Sequence, residues 1–399
     1  MTVYKERFKT LATNVVHAGI PNPRIQGAVV SPIFQSANYL MGDEAAYDEI
    51  RYLRLSNSPS HLTLQARLAV IESAEQALVT SSGMAAISTA LLAFVGNGEH
   101  VLTQKTLYGG TQSFLDQDAP RFGISYSPID LNDSNGSNGS NGSNGPDAWS
   151  EALRPETRVI YVESITNPLM EVGDLKGIAA FAREHSLISI IDNTFATPVN
   201  FRPLEIGFDL VVHSATKYLN GHSDIVAGAV MGSAEKVEKV RQLMLHTGGS
   251  ADPHACFLFE RGLKTLAIRM QRHNRSGLAV AEFLAGHPAV EKVNYPGLEG
   301  DSGYAYAREL FTGTSGMLSF YLGSSEAAER FLERVRIPVH AASLGGPETL
   351  VVRPARSSHL GQTPEERARL AITDDLIRTS VGIEDLDELL EDFDRALSD

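Results

Sequence analysis

The sequence predicts an α/β fold in which a mostly parallel sheet is flanked by helices. Short apolar segments alternate with amphipathic ones between residues 58 and 252. The segments "VIYVES", "LISIIDN" and "DLVVHSA" are apolar almost throughout, as strands are when both faces of a sheet are buried. Leu64, Leu68 and Ile71 recur at helical spacing, and "GMAAISTALLAFV" is typical of a buried helix.

Three segments of the chain differ in pattern. Residues 1–57 are predicted to form an irregular N-terminal arm, because several prolines interrupt any long element. Residues 58–252 carry the predicted sheet, and residues 253–399 form a smaller α+β domain with the strand "GMLSFYL" and the closing acidic helix "DLDELLEDF". Residues 134–145 repeat Ser-Asn-Gly four times, which predicts a flexible surface linker.

The amino-acid composition is typical of a soluble globular protein. The 399 residues are 43% hydrophobic and 21% charged, as in soluble globular proteins. The formal net charge of −14 argues against nucleic acid or an anionic membrane as a partner. Cys256 is the single cysteine, so no intrachain disulfide can form, and a reducing compartment is favoured. The chain begins without an apolar signal and has no apolar run long enough to span a bilayer, so we expect a cytoplasmic protein.

A single lysine, Lys217, follows the predicted strand "DLVVHSA" within "HSATKYLNGHSD". A lysine amine becomes nucleophilic when an apolar site disfavours its charge, and such lysines form Schiff bases with carbonyl compounds. Ser214 and Thr216 lie beside it, and their hydroxyl groups suit a phosphate better than a carboxylate. The alternative is a lysine that ends a strand and pairs with a neighbouring carboxylate.

Two further motifs fit an aldehyde cofactor that carries a phosphate. Asp192 ends the strand "LISIID", where α/β sheets bind ligands, and pyridoxal phosphate needs an acidic group to keep its ring nitrogen protonated. "TSSGMAA" places Gly83 and Met84 at a strand-to-helix turn, where backbone N–H groups bind anions. Taken alone, Asp192 could instead be a turn or helix-capping residue. The alternative for Gly83 and Met84 is a strand-to-helix turn that binds no ligand, since many turns of α/β proteins contain serine and glycine without binding an anion.

The motifs taken together resemble one enzyme family. "SSGMAA", "LYGGT", "ESITNPLMEV", "IDNTF" and "HSATKYLNGHSD" are similar to segments of the Cys/Met-metabolism family of pyridoxal phosphate enzymes. This family includes cystathionine γ-synthases and γ-lyases, methionine γ-lyases and O-acylhomoserine sulfhydrylases. The similarity extends from "VVHAG" and "SPIFQSANY" to "SLGGPETL" and "LIRTSVGIED". It implies a fold type I architecture, pyridoxal 5′-phosphate as the cofactor, a small amino acid as the substrate and no metal.

The resemblance also implies roles for individual residues. Lys217 would hold the cofactor as a Schiff base and move protons, and Tyr108 would stack on the cofactor ring and assist proton transfer at the leaving group. Asp192 would bind the ring nitrogen. Contacts with the cofactor are implied for Lys217, Asp192, Ser214, Thr216, Gly83, Met84, Tyr108 and Asn167. Contacts with the substrate are implied for Arg378, Ser343 and Asn167.

The segment "RYLRLSNSPS" implies a shared active site. In the family this segment reaches the cofactor phosphate of a neighbouring subunit, so Tyr52 and Arg54 are assigned as phosphate ligands supplied in trans. The N-terminal arm would then contact the neighbouring subunit. The resemblance implies a homotetramer built as a dimer of dimers.

Several positions depart from the family pattern. Cystathionine-handling relatives tend to have acidic residues where this chain has Ala342 and Arg51. Ser113 replaces an arginine that often follows "YGGT", and Gly110 stands where bacterial methionine γ-lyases have a cysteine. A substrate with a distal ammonium group has therefore lost its expected partners. "KYLNGHSD", in contrast, is more similar to the cystathionine enzymes.

The predicted reaction is γ-elimination from methionine, homocysteine or cystathionine, which gives a 2-oxo acid, ammonia and a thiol. γ-Replacement of the cystathionine γ-synthase or O-acetylhomoserine sulfhydrylase type is the alternative, and a non-catalytic scaffold is a remote third possibility. Arg353 and Arg356 either face the substrate or are surface charges. His222 and Asp224 are expected to pack or to close a loop.

Overall fold

The computed structural model describes residues 7–131, 146–361 and 363–398, and the predicted linker at 134–145 lies outside these ranges. The strands are Gln76–Thr80 (β1), His100–Gln104 (β2), Ser125–Ile129 (β3), Thr157–Glu163 (β4), Ile188–Asp192 (β5), Leu210–Ser214 (β6), Gly228–Gly232 (β7), Lys292–Asn294 (β8), Met317–Tyr321 (β9), Val339–His340 (β10), Leu350–Val352 (β11) and Leu376–Ser380 (β12). The α-helices are Leu11–His17 (α1), Pro59–Ile71 (α2), Gly83–Leu92 (α3), Gly109–Ser113 (α4), Pro146–Ala152 (α5), Leu175–Glu184 (α6), Thr197–Asn200 (α7), Ala234–Thr247 (α8), Pro253–Leu263 (α9), Leu266–Gly286 (α10), Tyr304–Leu310 (α11), Ser325–Arg334 (α12), Pro364–Arg369 (α13) and Leu386–Leu397 (α14).

The larger sheet confirms the predicted α/β architecture. Within the described residues it has seven strands in the order β1-β7-β6-β5-β4-β2-β3. Strands β3, β2, β4, β5 and β6 pair in parallel, whereas β7 runs antiparallel to both β6 and β1. The carboxyl ends of the parallel strands therefore meet along one edge, which is where open α/β sheets bind ligands.

Alternate side chains of β4 show why these strands are apolar throughout. Ile160 and Val162 belong to a core shared with α2, α6 and α9 on one face of the sheet. Val159 and Tyr161 belong to a second core, shared with α3 and α8, on the opposite face. Both faces are buried, so both sets of alternating positions must be apolar.

A smaller sheet follows in the second half of the chain. Among the described residues its five strands lie in the order β10-β11-β12-β9-β8, and α10, α12 and α14 pack against it. Phe331 of α12 stacks on Phe393 of α14, with ring centroids 5.6 Å apart. The division at residues 57 and 252 stays a prediction. None of the described helices is both long and apolar enough to cross a membrane.

The N-terminal arm is less irregular than the sequence suggested. Thr10 caps α1, and Arg67 of α2 holds the end of this helix by donating to the carbonyl oxygens of Val15 and Ala18 at 3.0 and 2.9 Å. The prediction of an irregular arm was therefore wrong for α1, because a distant arginine stabilises that helix. Further along, apolar side chains are exposed, including Leu40 at 98% and Met41 at 69%.

Candidate active site

A cavity of about 590 Å³ opens at the carboxyl ends of β4, β5 and β6. Every sequence-predicted site residue except Tyr52 and Arg54 lines it, namely Lys217, Tyr108, Asp192, Ser214, Thr216, Gly83, Met84, Asn167, Arg378 and Ser343. The volume is typical of a site for a cofactor or small molecule. Motifs far apart in the sequence therefore meet in one place.

Lys217 lies in the turn that follows β6. Its Nζ donates a hydrogen bond of 2.7 Å to Ser343 Oγ. Burial, with a smaller contribution from the positive charge of Arg378, lowers the pKa of Lys217 to about 8. A substantial fraction of this amine is therefore neutral near physiological pH, which is the form that attacks a carbonyl carbon.

Asp192 is the last residue of β5 and is buried. Its Oδ1 accepts a hydrogen bond of 2.9 Å from the Thr194 N–H, and its Oδ2 lies 3.5 Å from the Tyr161 hydroxyl. Burial raises the pKa of the Asp192 carboxyl, while the hydrogen bonds from Thr194 lower it. A buried carboxylate at this edge of the cavity suits a cationic N–H group in a ligand.

The start of α3 forms an anion-binding corner with the end of β6. Ser82 caps the helix, and its Oγ accepts from the Ala85 N–H at 3.0 Å, whereas the first N–H groups of any α-helix lack intrahelical acceptors. A Cβ on Gly83 would lie 2.7 Å from Ser214 Cβ, so only glycine allows so close an approach. Gly83 thus lies beside Ser214, and Met84 and Thr216 line the same cavity. Thr216 Oγ1 donates to the Ala227 carbonyl oxygen at 3.3 Å and accepts from the Ala227 N–H at 3.1 Å. Free helix amides together with the Ser214 hydroxyl suit a phosphate.

Arg378 on β12 forms the opposite wall of the cavity and is buried. Its Nη1 donates to Asn167 Oδ1 at 2.9 Å and its Nη2 to the Ser343 carbonyl oxygen at 3.1 Å. Arg378 Nε has no hydrogen-bond partner in the part of the chain that the structure describes. Burial lowers the pKa of Arg378 to about 10, so the side chain stays cationic at neutral pH and can bind a carboxylate.

Tyr108 begins α4 at the mouth of the cavity and is 41% exposed. Its backbone N–H donates to Glu163 Oε1 at 2.6 Å. Burial and the nearby charge of Asp192 raise the pKa of Glu163 well above its ordinary value. A Cβ on Gly110 would lie 2.5 Å from Cε1 of Tyr108, so a larger residue at this position would displace the tyrosine ring.

Comparison with known proteins assigns the family. The model of the Cys/Met metabolism PLP-dependent enzyme family matches residues 12–398. The chain belongs to this family. It is 40% identical to the L-methionine gamma-lyase of Pseudomonas putida, over 97% of this chain and 96% of that protein. It is 38% identical to the cystathionine gamma-lyase of Bacillus subtilis, over 96% and 98% of the two chains.

A solved structure agrees with the assignment to the Cys/Met metabolism family. The cystathionine gamma-lyase from Lactobacillus plantarum, complexed with L-serine, superimposes with a TM-score of 0.89 at 33% sequence identity. The match covers 97% of this chain and 98% of that one. The predicted fold type I architecture is confirmed, and pyridoxal phosphate is the cofactor of the family.

The residues of this chain fit that cofactor. The cavity brings together an amine of lowered pKa at Lys217, a buried carboxylate at Asp192, and a corner of amide and hydroxyl donors. These groups match the aldehyde, the ring nitrogen and the phosphate of pyridoxal phosphate. The roles of individual residues remain predictions.

Tyr52 and Arg54 do not line the cavity of their own chain. The Arg54 guanidinium contacts the Leu245 carbonyl oxygen and the Tyr47 hydroxyl, and lies 6.0 Å from the Tyr52 ring centroid. Tyr52 is 40% exposed. Assignment of both residues to a neighbouring subunit's site stays a prediction.

The additional arginines also lie outside the cavity. Arg353 is buried and donates 2.7 Å bonds to Glu329 and Ser325 of α12, so it is neither a substrate contact nor a surface charge. Arg356 is exposed. Arg51 is exposed too, with its guanidinium 5.6 Å from the Tyr39 ring centroid. The basic character of "VVRPARSSH" therefore does not reach the lining of the cavity.

The loop after Lys217 is closed by its own side chains. Asn220 Nδ2 donates to Asp224 Oδ1 at 2.7 Å, and His222 Nδ1 lies 2.7 Å from the Asn220 carbonyl oxygen. The loop-closing role expected of His222 and Asp224 fits these contacts. Neither residue lines the cavity.

Sequence reasoning missed several residues of the cavity wall. They are Ser82, Glu163, Thr194, Phe195, Val226, Ser357 and Ser358. Glu163 ends a strand and Thr194 lies two residues after Asp192, so position at a strand end could have suggested both. Val226 and Ser357 carry no local signal, because they reach the cavity only through the packing of loops.

Proposed function

We propose that the chain catalyses pyridoxal phosphate-dependent γ-elimination from a sulfur amino acid whose γ-substituent is uncharged, with methionine and homocysteine as the leading substrates. The reaction consumes water and releases a 2-oxo acid, ammonia and the γ-substituent, as methanethiol from methionine or hydrogen sulfide from homocysteine. One observation carries the choice of substrate. Among the described residues that line the cavity, the carboxyl groups are those of Asp192 and Glu163, both buried at neighbouring strand ends.

The uncharged part of the cavity lining supports an uncharged substituent. Ala342, Leu344 and Val226 line the cavity without formal charge, and Ser357 and Ser358 add only hydroxyl groups. A substrate with a distal ammonium group would lose its hydration there without gaining a carboxylate partner, which is unfavourable. A thioether or thiol is weakly hydrated, so its transfer from water into such a site costs little free energy.

The cofactor would be held at three points. Lys217 would bind its aldehyde carbon, Asp192 its ring nitrogen, and the amides of Gly83 and Met84 with the hydroxyls of Ser214 and Thr216 its phosphate. When bound, pyridoxal phosphate supplies an electron sink that stabilises negative charge at the substrate Cα. Tyr108 would cover the ring from the cavity mouth.

The protein's own groups would orient the substrate and move protons. Arg378 would bind the substrate carboxylate, with its guanidinium fixed in advance by Asn167 and Ser343. Lys217 would remove the proton at Cα, since its lowered pKa makes the neutral amine available as a base. Burial raises the pKa of Tyr108, so its hydroxyl keeps the proton needed by a departing thiolate.

Named relatives support elimination at this site. Besides the two gamma-lyases described above, a cystathionine beta-lyase of Lactococcus lactis is 39% identical over 97% of this chain and 99% of its own. These enzymes differ in substrate, whereas each is named as a lyase that acts on a sulfur amino acid. Their shared class favours elimination over replacement.

The active unit is proposed to be a dimer within a homotetramer. Tyr52 and Arg54 would complete the phosphate site of a neighbouring subunit, in line with their position outside their own cavity. The exposed apolar residues Leu40 and Met41 of the arm would be buried in that contact. The cytoplasmic location stays a prediction.

A substrate panel read by product tests the proposal. The full-length protein with pyridoxal phosphate is given methionine, homocysteine, cystathionine and O-acetylhomoserine, each with and without an added thiol, and Lys217→Ala serves as the control. When no thiol is added, we expect 2-oxobutanoate with methanethiol from methionine, or 2-oxobutanoate with hydrogen sulfide from homocysteine. Product that forms only when a thiol is added would assign γ-replacement instead. A preference for cystathionine would contradict the inference from the uncharged wall.

A further inference from the structure

A buried polar cluster, formed by Glu72, His213 and Asn193, lies next to Asp192 and outside the lining of the cavity. Glu72, which follows the last residue of α2, has a fully buried side chain, as does His213 of β6. His213 Nε2 lies 2.5 Å from Glu72 Oε1. Asn193 Nδ2 donates to the same carboxylate oxygen at 3.3 Å and to the Phe201 carbonyl oxygen at 2.9 Å. A single carboxylate oxygen thus binds two different strand ends.

The cluster is connected to the cavity by sequence adjacency. Asn193 directly follows Asp192, and His213 directly precedes Ser214. A second set of bonds joins the same two strand ends on the cavity side: the Ser214 N–H donates to Thr194 Oγ1 at 2.8 Å, and the Thr194 N–H donates to Asp192 Oδ1 at 2.9 Å. A shift of Glu72 would therefore be transmitted to both the carboxylate and the phosphate corner.

The cluster also bears on the charge of Asp192. Burial favours the neutral acid, whereas positive charge on His213 lowers the pKa of the Asp192 carboxyl. The titratable groups that face Asp192 are Tyr161 and Glu163 from β4, Tyr108 from the start of α4, and His213 from β6. Of these groups, His213 is the one that contacts Glu72, through its Nε2.

We propose that Glu72 and His213 are positioning residues of the cofactor site, which align the ends of β5 and β6 and so hold the Asp192 carboxyl and Ser214 in place for pyridoxal phosphate. The inference rests on the proposed contact between Asp192 and the cofactor. Neither Glu72 nor His213 lines the cavity, so neither touches substrate or cofactor directly. They act through Asp192 and Ser214.

The first test compares Glu72→Gln with Glu260→Gln. Glu260 of α9 forms a buried ion pair with Arg67 of α2 at 3.2 Å and does not line the cavity. The full-length proteins are freed of cofactor and titrated with pyridoxal phosphate, and thermal unfolding without cofactor is recorded in parallel. We expect Glu72→Gln to weaken cofactor binding about tenfold, because the ends of β5 and β6 lose the charged oxygen that binds both of them. Glu260→Gln should lower stability while leaving cofactor affinity unchanged.

A spectroscopic measurement separates positioning from simple stabilisation. The visible absorption of bound cofactor is followed against pH, and the midpoint of its spectral change in Glu72→Gln should differ from that of the wild-type protein. Equal affinities for the two variants, with superimposable spectra, would overturn the proposal. Should Glu72→Gln fail to fold, His213→Asn removes the contact between Glu72 and β6 and is held to the same expectations.

A double-mutant cycle completes the test. Because Glu72 acts partly through Asp192 and partly through Ser214, the loss of affinity caused by Glu72→Gln should be smaller in an Asp192→Asn background than in the wild-type background. Full additivity of the two losses would contradict the proposal. Failure of the wild-type protein to bind pyridoxal phosphate would instead refute the proposed function, so the two failures can be distinguished.

Discussion

Lys217 Nζ donates a hydrogen bond of 2.7 Å to Ser343 Oγ, and this bond joins the two sheets of the molecule. Lys217 follows β6 of the larger sheet, whereas Ser343 lies between β10 and β11 of the smaller one. Ser343 adopts a φ of 91°, a conformation that costs a serine about 1–3 kcal/mol. The proposed nucleophile and the proposed substrate arginine thus share one residue, because Ser343 also accepts from Arg378 through its carbonyl oxygen.

The lowered pKa of Lys217 predicts how cofactor capture depends on pH. The rate at which cofactor-free protein binds pyridoxal phosphate covalently should rise with pH and level off above about 8, since only the neutral amine attacks. Arg378→Gln removes a charge that helps to lower this pKa, so its profile should shift to higher pH. Stopped-flow absorbance measures both profiles, and superimposable curves would contradict the electrostatic role of Arg378.

Replacement of Arg378 by lysine should impair substrate binding more than turnover. Lysine cannot keep both bonds, to Asn167 and Ser343, while it also binds a carboxylate. Loss of a charged hydrogen bond of about 1.5–3 kcal/mol predicts a KM raised roughly ten- to a hundredfold. Steady-state kinetics on the preferred substrate of the panel measures this change. An unchanged KM would remove Arg378 from the substrate site.

A carboxylate at position 342 should change the substrate preference. Ala342→Glu would give a distal ammonium group a partner, so kcat/KM for cystathionine relative to methionine should rise about tenfold or more, as expected for one charged hydrogen bond. Ala342→Gln, of similar size and without charge, is the matched control. The same change in both variants would indicate an effect of size rather than of charge.

Mixed assemblies test the assignment of Arg54 in trans. Lys217→Ala and Arg54→Ala should each be inactive alone, because each lacks one part of every site. After co-refolding, random pairing into two-fold dimers should restore about a quarter of wild-type activity, since each mixed dimer contains one intact site. Activity assays at several mixing ratios measure the recovery. No recovery at any ratio would place Arg54 outside the neighbouring site.

Arg353 is expected to matter for stability alone. Arg353→Ala removes two hydrogen bonds to α12 and should lower the free energy of unfolding by about 1–3 kcal/mol. Glu329 is 58% exposed on its side chain, so no buried charge is left behind. Urea unfolding measures the loss, and kcat/KM should stay at the wild-type value. A large loss of activity in a folded variant would show that Arg353 acts on the site after all.

The local pattern of the chain was sufficient to predict the central sheet. Strands β4, β5 and β6 are apolar on both faces, a signal that survives in a single sequence because both faces must be buried. Helix α1 and strand β3 were not predicted. Helix α1 depends on contacts with Arg67, which lies far along the chain. The sequence of β3, "SYSPI", contains a proline and polar residues, so it lacks the apolar pattern of a strand, although an edge strand tolerates both.

Part of the candidate active site could also be predicted from short segments of the sequence. Lys217, Asp192 and Gly83 stand at strand ends and turns, where residue type alone suggests a cofactor. Glu72 and His213 gave no such signal, since a glutamate at a helix end and a histidine in a strand are common. Their proximity is a result of folding, because α2 packs beneath the sheet.

The amino-acid sequence by itself determined the α/β class, the family and the chemical types of the groups that would bind pyridoxal phosphate. Only the tertiary structure decided which of these groups meet, that Arg353 binds α12 instead of the cavity, and that Glu72 and His213 form a buried polar cluster next to Asp192. The physical reason is the distance along the chain between the residues that interact. Strand pattern and motifs depend on neighbours along the chain, whereas burial, pKa and hydrogen bonding depend on side chains that only folding brings together.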